Sequence, residues 1–292
     1  MATPAGLGIN FGHDYNCYND NAECIRQLTI LKDLGITKIQ VNIPTYQVQN
    51  FNASFRNQLR LVCTTAKSMG FYVVWGYNAY PITNSNKAAF KQANRDGAAW
   101  AQSAGVDEWC TGNEEDLQAS DTAGGTSDLN KDQIIAVIMD TNSTIRSTDG
   151  LTINLTSATT TEGYSKWAAL VGTWSAYMKL DLHIYGLKTA THFFDYVTNS
   201  VAALGSNVYC GEWGCDSGRL AFLTDEDWVR EMEHRLAFIE ASGMSSYYYF
   251  AYAIQGDADE ESRWSLYRTS TAKPTTLLRR ITRKRQNMVA FG

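Results

Sequence analysis

Six glycines, each placed between an amphipathic segment and a short apolar run, constrain the fold of this chain more than any other feature. Glycine adopts the left-handed conformation that ends many helices without steric cost, so each is predicted to mark the C-terminus of a helix. The apolar runs that follow are rich in β-branched and aromatic residues, which is typical of strands buried on both faces. The six are Gly35, Gly70, Gly105, Gly150, Gly205 and Gly243.

The spacing of these glycines predicts repeated strand–helix units. They recur at intervals of about 35 to 55 residues, which is room for one or two such units each. With the opening run GLGINFG, the pattern predicts eight strands, at residues 6–12, 37–43, 71–77, 107–112, 151–157, 178–185, 207–211 and 245–252. Alternating strands and helices form a parallel sheet, and eight units can close. We therefore expect an α/β fold, a single (β/α)8 TIM barrel.

An open, doubly wound sheet is the structural alternative to a barrel. Such sheets usually carry a glycine-rich phosphate loop after the first strand, whereas this chain reads GHDYNC there. Nothing resembling a linker interrupts the 292 residues. We expect one catalytic domain over residues 1–292, in which residues 275–292 form a C-terminal helix and tail.

Composition and charge narrow the classes of partner. The net charge of −5 argues against a nucleic-acid partner and favours a neutral or cationic ligand. Because no segment approaches the roughly 18 apolar residues of a membrane span, no membrane partner is expected. No signal peptide precedes the first predicted strand. We expect a monomer that is secreted or extracellular.

The six cysteines match no zinc-binding pattern in their spacing. Cys17 and Cys24 are close enough in sequence for a small loop disulfide. Cys110 and Cys210 lie inside predicted buried strands and are expected to be small core residues. We expect neither a metal nor an organic cofactor.

Active sites of such barrels lie at the C-terminal ends of the strands, where this chain places carboxylates, amides and aromatic rings. Trp75, Trp213 and Tyr252 are either platforms for a sugar or part of the packing, because aromatic rings serve both purposes. The two histidines among the candidates are either substrate contacts or structural residues. The candidate substrate-binding residues are His13, Trp75, Tyr77, Asn113, His183, Tyr185, Trp213 and Tyr252.

Two glutamates, Glu114 on the fourth predicted strand and Glu212 on the seventh, match the requirements of glycosidic bond cleavage. One carboxyl group protonates the departing oxygen and the other attacks the anomeric carbon from across the sugar ring. Polar neighbours would hold the nucleophile ionised, and a less polar setting would raise the pKa of the acid. Glu115 or Asp116 could replace Glu114 as the acid, and both glutamates could instead be surface carboxylates.

The motifs around these glutamates resemble clan A of the glycoside hydrolases. WCTGNEE at strand four, LHIYG at strand six, YCGEWG at strand seven and RWSLYRTSTAKP after strand eight carry the resemblance. It implies a retaining enzyme in which Glu114 is the acid/base and Glu212 the nucleophile. It further implies that Asn113 binds the sugar 2-hydroxyl and that Tyr185 contacts the nucleophile. VNIP at strand two and Asn-Glu-Glu at strand four depart from common members, which leaves the family within the clan open.

The sequence thus predicts a retaining glycoside hydrolase that cleaves a β-linked oligo- or polysaccharide, of the β-glucan or β-mannan type, by double displacement. The two carboxyl groups of a retaining enzyme lie about 5–5.5 Å apart. Two alternatives remain open: a transglycosylase acting on the same substrates, and a carbohydrate-binding barrel without turnover.

Overall fold

Eight parallel strands close into a barrel in the computed structural model of this chain. The structure describes residues 5–11, 20–41, 53–77, 81–148, 150–159, 178–185, 190–214, 224–249, 267–268, 273–274 and 276–282. Each strand pairs with the next, and the first also pairs with the eighth, so the predicted TIM barrel is confirmed and the open sheet is excluded. The strands are β1 (Gly6–Phe11), β2 (Lys38–Val41), β3 (Tyr72–Tyr77), β4 (Glu108–Thr111), β5 (Asn154–Thr159), β6 (Met178–Ile184), β7 (Val208–Trp213) and β8 (Ser246–Tyr249).

Helices alternate with these strands along the chain. The helices are α1 (Asn21–Asp33), α2 (Ala53–Ser68), α3 (Lys87–Ser103), α4 (Lys131–Thr148), α5 (Ala190–Leu204), α6 (Asp225–Ala241) and α7 (276–282). Two short 3-10 helices cover Glu115–Gln118 and Gly205–Asn207, and β9 (Tyr267–Arg268) pairs antiparallel with β10 (Lys273–Pro274). Among the described residues, none of the helices has the length and apolar character needed to cross a membrane.

The six glycines of the sequence repeat all have positive φ, between 58° and 87°. After α1 the backbone N–H of Gly35 bonds to the carbonyl of Lys32, and that of Ile36 reaches back to Leu31. This pair of bonds satisfies carbonyls that the helix itself leaves free, and it turns the chain directly into β2. The backbone N–H of the residue after the glycine makes the equivalent hydrogen bond, back to a carbonyl of the preceding helix, at Phe71 and at Val106.

Apolar packing forms a large layer between the barrel and its helices. Trp75 on β3, for example, packs edge-on against Trp100 of α3 and Trp109 of β4, with ring centroids 4.5 and 5.4 Å away. A second apolar cluster, Tyr72, Val74, Tyr209 and Tyr248, lies inside the barrel. The strands are therefore buried on both faces, as their sequences predict.

The floor of the barrel, at the N-terminal ends of the strands, is polar. Lys38 donates to the hydroxyl of Ser246 and lies 4.8 Å above the ring of Tyr248. Tyr72 donates to the carboxylate of Glu108 at 2.9 Å, and the Lys179 amine lies 3.7 Å from the same carboxylate. The Lys179 amine and the Glu108 carboxylate face one another, which compensates part of the cost of removing the carboxylate from water.

One expectation differs from the structure. The fifth strand begins at Asn154 rather than at residue 151, because the Gln102 side chain accepts the backbone N–H groups of Thr152 and Ile153 before the sheet begins. Cys24 is a buried free thiol, and Cys17, its possible disulfide partner, lies outside the described residues. Cys110 and Cys210 are buried free thiols, as expected.

The close approach of α3 to β4 makes Gly97 a test of this packing. A Cβ atom at Gly97 would lie 2.4 Å from the Trp109 ring, whose N–H is fixed by a 3.1 Å bond to Asn94. Gly97→Ala should therefore lower the free energy of unfolding by about 1–3 kcal/mol, as overpacked cores do. Urea unfolding measures this. Helix propensity alone would instead raise the free energy of unfolding of Gly97→Ala by about 0.5–1 kcal/mol. Ala99→Gly, on the exposed face of the same helix, measures the size of that propensity effect.

Candidate active site

The C-terminal ends of β4, β6 and β7 bring four of the predicted site residues together. Glu114 follows β4, His183 and Tyr185 lie at the end of β6, and Glu212 lies near the end of β7. The pairing of β6 with β7 places His183 directly beside Glu212. Glutamates 98 positions apart in the sequence thus face one imidazole ring at the same mouth of the barrel.

His183 joins the two glutamates. Its Nδ1 lies 2.8 Å from a carboxyl oxygen of Glu114 and 3.6 Å from one of Glu212. Tyr185 donates a hydrogen bond from its hydroxyl to the same oxygen of Glu212. The His183 side chain is 1% exposed, Glu212 is 8% exposed and Glu114 is 28% exposed, so Glu114 is the member most open to solvent.

A β-bulge in β7 points Glu212 into the site. Leu182 pairs with Cys210 and His183 pairs with Glu212, so Gly211 is an extra residue in the ladder. Cys210 and Trp213 pack in the outer core, while Gly211 and Glu212 both face the barrel interior. Strict strand alternation would place Gly211 and Glu212 on opposite faces, and the bulge removes that restriction.

A left-handed turn presents Glu114. The residue has φ +60° and immediately precedes the 3-10 helix Glu115–Gln118. A non-glycine residue in this conformation costs about 1–2 kcal/mol, a strain that is common at functional sites. The turn sends the Glu114 side chain toward His183 and the next side chain, Glu115, into the protein interior.

Arg235 ties the ends of β6 and β7 together from behind. It lies on α6 and is 2% exposed. One guanidinium nitrogen donates to the backbone carbonyls of Tyr185 and Gly214, at 2.5 and 2.6 Å, while Nε bonds to Glu231 at 3.0 Å. Sequence reasoning missed this residue, since an arginine in a helix is typical of a solvated surface.

Burial and the charges in the cluster shift the pKa values of all three central groups. Burial alone would raise the pKa of Glu114, but the hydrogen bond and charge of His183 outweigh it and lower the pKa. Burial raises the pKa of Glu212 to about 7; the nearby Glu114 carboxylate adds to the rise, while His183 opposes it. Burial disfavours the His183 cation, yet the surrounding carboxylates raise its pKa well above the ordinary value.

The sequence predicts one carboxyl group held ionised by polar neighbours and one with a raised pKa, and in the structure the raised pKa belongs to Glu212, the proposed nucleophile. The physical reason is geometric. Nδ1 of His183 is 0.8 Å closer to Glu114 than to Glu212, and Glu212 is the more deeply buried carboxyl. Two neighbouring carboxyl groups share their protons, so the one next to the cation ionises first.

The remaining candidates divide into three groups. Asn113 is partly buried and lies immediately before Glu114. Trp75 and Trp213 are 0% exposed, and Trp213 packs edge-on against Tyr249 with ring centroids 4.9 Å apart, so the platform role predicted for both is wrong. A fully covered ring has no free face on which a sugar can stack. His13, Tyr252 and the side chain of Tyr77 lie outside the described residues.

Glu114, His183 and Glu212 each offer one ligand-type atom, and the three atoms lie within 4.8 Å of one another. The cluster therefore has the size of a metal site. Its contacts, however, are internal: Nδ1 of His183 bonds to Glu114, and Glu212 accepts from Tyr185. Two carboxyl groups, one hydrogen-bonded to His183 and the other to Tyr185, describe the arrangement without invoking an ion.

Glu115, the alternative acid, is fully buried beside Gly112. Among the described residues neither of its carboxyl oxygens has a partner at hydrogen-bond geometry. Burial raises its pKa to about 8, and the backbone N–H groups of Asn113 and Glu115 offset this only partly. A carboxyl group without solvent access cannot reach a glycosidic oxygen, and Asp116 is 2% exposed, so Glu114 is the better candidate.

Glu115 should make the protein less stable as pH rises. The folded state holds its proton up to about pH 8, whereas the unfolded chain releases it near pH 4.3. Stability is therefore lost between these values, at up to roughly 1.4 kcal/mol per pKa unit. Glu115→Gln should remove this slope, so that its advantage over the wild type in urea unfolding is larger at pH 8 than at pH 5. Equal advantages at both pH values would contradict the assignment; Glu226→Gln, an exposed carboxylate on α6, is the control.

Comparison with known proteins finds the same fold in solved structures of glycoside hydrolases. No protein-family model matches this sequence, and no curated protein sequence matches it. Among solved structures, the chain is similar to an exo-β-1,4-mannosidase from Opitutaceae bacterium strain TAV5, with a TM-score of 0.67 and 13% identity over 97% of this chain. It spans 59% of the length of that protein.

Two further structures match nearly the whole barrel. One is a GH113 β-1,4-mannanase, with a TM-score of 0.66 and 12% identity over 98% of this chain and 99% of that one. The other is a GH5_18 protein from Streptomyces cattleya in complex with GlcNAc, with a TM-score of 0.73 and 13% identity over 98% of this chain and 80% of that one. At these identities the similarity establishes the fold, and this chain has the closed (β/α)8 barrel that these glycoside hydrolases share.

Proposed function

We propose that this protein is a retaining glycoside hydrolase in which Glu212 is the nucleophile and Glu114 is the acid/base. The observation that carries the proposal is the meeting of these two carboxyl groups on one histidine at the C-terminal mouth of the barrel. Fold similarity to glycoside hydrolases and the strand positions of the two glutamates agree with it. A barrel that only bound carbohydrate would have no need for two carboxyl groups that meet on one histidine.

The separation of the two groups favours retention of anomeric configuration. A carboxyl oxygen of Glu114 and one of Glu212 lie within 4.8 Å of each other. Retaining enzymes hold their carboxyl groups about 5–5.5 Å apart, whereas inverting enzymes need about 6.5–9.5 Å to admit a water. With so little space, Glu212 attacks the anomeric carbon itself and forms a covalent glycosyl-enzyme.

The first step requires a proton on Glu114 and none on Glu212. The Glu114–His183 hydrogen bond supplies that proton, because its transfer from Nδ1 to the Glu114 oxygen converts an ion pair into a neutral acid and a neutral imidazole. Glu114 then protonates the departing glycosidic oxygen while Glu212 bonds to the anomeric carbon. In the second step Glu114 removes a proton from water, and the resulting hydroxide displaces Glu212 from the sugar.

Tyr185 suits the nucleophile role of Glu212. Its hydroxyl donates to the carboxylate oxygen, and burial together with the Glu212 charge raises the pKa of Tyr185 well above its usual value. The phenol therefore stays a donor across the working pH range. A fixed donor orients one oxygen of Glu212 and leaves the other for the anomeric carbon.

The substrate we propose is a β-1,4-linked mannan or glucan, or an oligosaccharide of one of these. Support comes from the similar structures, which include an exo-β-1,4-mannosidase, a β-1,4-mannanase and the catalytic domain of an endoglucanase from Thermobifida fusca. Incubation with β-mannans, β-glucans, xylans and galactans, followed by mass analysis of reducing-end products, identifies the sugar. If no sugar product is released from any of these four polysaccharides, the proposed substrate class is wrong.

Removing each carboxyl group should give a different defect. Glu212→Ala should abolish turnover of polysaccharide and of activated aryl glycosides alike, because no covalent intermediate can form. Glu114→Ala should lose about 10²–10⁴-fold on polysaccharide but far less in the first step on an aryl glycoside whose leaving group needs no proton. Glu115→Gln, the neighbouring carboxyl, should retain activity.

Azide rescue checks the same assignment. Azide should restore aryl glycoside cleavage to both alanine variants, giving a glycosyl azide of inverted configuration with Glu212→Ala and of retained configuration with Glu114→Ala. Full activity in either alanine variant, or the opposite stereochemistry, would refute the roles assigned to Glu114 and Glu212.

The pH profile should report the proton requirement of the cluster. Glu212 must be ionised to attack, and its pKa is raised to about 7, so kcat/KM should fall as pH decreases through about 7. The alkaline limb reports loss of the proton shared by Glu114 and His183, and it should lie well above the ordinary histidine pKa of about 6.5. Initial rates at low substrate from pH 4 to 10 test both limbs. An acidic limb near pH 4 would show that another arrangement of charges governs Glu212.

A further inference from the structure

Asp181 lies one layer below His183 inside the barrel. The two residues are separated by one position on β6, so their side chains face the same side of the sheet. Asp181 is completely buried, and its Oδ2 is 3.5 Å from Nε2 of His183, on the opposite edge of the ring from Glu114. A carboxylate at this distance favours a proton on Nε2.

The same carboxylate contacts the bulge that points Glu212 into the site. Its Oδ1 accepts the backbone N–H of Gly211 at 2.5 Å. Asn10 of β1, also fully buried, donates to the Gly211 carbonyl at 2.6 Å, so both backbone groups of the extra residue are satisfied from inside the barrel. A Cβ at Gly211 would lie 2.0–2.3 Å from the Asp181 carboxyl atoms, which requires glycine there.

We propose that Asp181 is a positioning residue that fixes both the orientation of Glu212, through the Gly211 bulge, and the protonation of His183, through Nε2. With Nε2 holding a proton against Asp181, a neutral His183 has its lone pair on Nδ1, facing Glu114. Glu114 can then hold the catalytic proton as a donor to Nδ1, or return it along the same bond. Without Asp181 the neutral ring is free to adopt the other tautomer, which offers Glu114 only an N–H.

Within the part of the chain that the structure describes, the titratable groups around His183 come from three strands. Cys110 on β4 lies behind Asp181, with its sulfur 4.0 Å from Oδ2, and burial raises the pKa of that thiol well above its usual range. It therefore stays neutral, and the charges that act on the ring are carboxylates. The titratable groups are Glu114 and Cys110 from the β4 side, Asp181 and Tyr185 from β6, and Glu212 from β7.

Asp181→Asn tests the proposal, and the activity part of the test depends on the proposed function. Asparagine can keep the bond from Gly211 but presents an amide donor, without charge, to Nε2. We expect kcat/KM to fall by roughly 10–100-fold, as for residues that orient a catalytic group elsewhere. Both limbs of the pH profile should also move to lower pH, because a negative charge next to His183 and Glu212 is lost.

Asn10→Ala is the matched control, since Asn10 shares the bulge contact but not the contact with His183. Its kcat/KM should fall while both limbs keep their wild-type positions. If Asp181→Asn also lowers activity with unmoved limbs, Asp181 supports the backbone alone and the proposal is overturned. If Asp181→Asn does not fold, Gly211→Ala replaces it, because the added Cβ displaces the Asp181 carboxylate sterically. Both limbs of its pH profile must then move to lower pH, and unmoved limbs overturn the proposal equally.

A direct titration of His183 separates this proposal from the proposed function. The chain has four histidines, so the ¹⁵N signals of His183 can be assigned by their loss in His183→Asn. The wild type should show Nε2 protonated throughout, and Asp181→Asn should lower the pKa of the ring. An unchanged His183 titration refutes the role of Asp181 even if the enzyme is active; a changed titration supports it even if no sugar is cleaved.

Discussion

The extra residue in β7 is the constraint on which the site depends. Strand alternation allows every second side chain to face the barrel interior, and Cys210 and Trp213 are already committed to the outer core. The bulge at Gly211 inserts one residue between them, so that Glu212 turns inward beside His183 while Trp213 keeps its place in the outer core. An unpaired bulge in a buried strand leaves backbone groups without partners, which is costly unless side chains satisfy them. Asn10 and Asp181 do so.

Much of the fold was predictable because it follows from local chemistry. Glycine is strongly favoured where a helix ends on a positive φ, and all six glycines of the repeat have such angles. The strand ends were predictable to within a few residues for the same reason. The side of the sheet on which an aromatic side chain packs was not predictable. Trp75 and Trp213 are of the residue type that forms sugar platforms. Both are 0% exposed, however, and they pack against their neighbours across the sheet, Trp109 and Tyr249.

The site was predictable in its residues but not in its charges. The motifs place Glu114, His183, Tyr185 and Glu212 at strand ends, and the structure joins these four side chains by hydrogen bonds and charge contacts. The relative depth of the two carboxyl groups, and which of them lies closer to the imidazole, depend on a left-handed turn at Glu114 and a bulge at Gly211. Both are irregularities that the periodicity of the sequence cannot reveal. Asp181 and Arg235 were missed because the pattern indicates an interior strand residue for one and a helix surface residue for the other.

The distribution of cations explains why the protonation of this site is adjustable. Lys38, which is buried, and Lys179, which is partly buried, lie on the floor of the barrel, where they contact Ser246 and Glu108. At the mouth, the cation among the described residues that contacts both glutamates is His183, a group whose charge is itself set by nearby carboxylates. A permanent cation there would hold both glutamates ionised and prevent either from acting as an acid. An imidazole can give its proton to Glu114 when the departing oxygen needs it and recover it when water is deprotonated, so the same contact can serve both steps of the proposed double displacement.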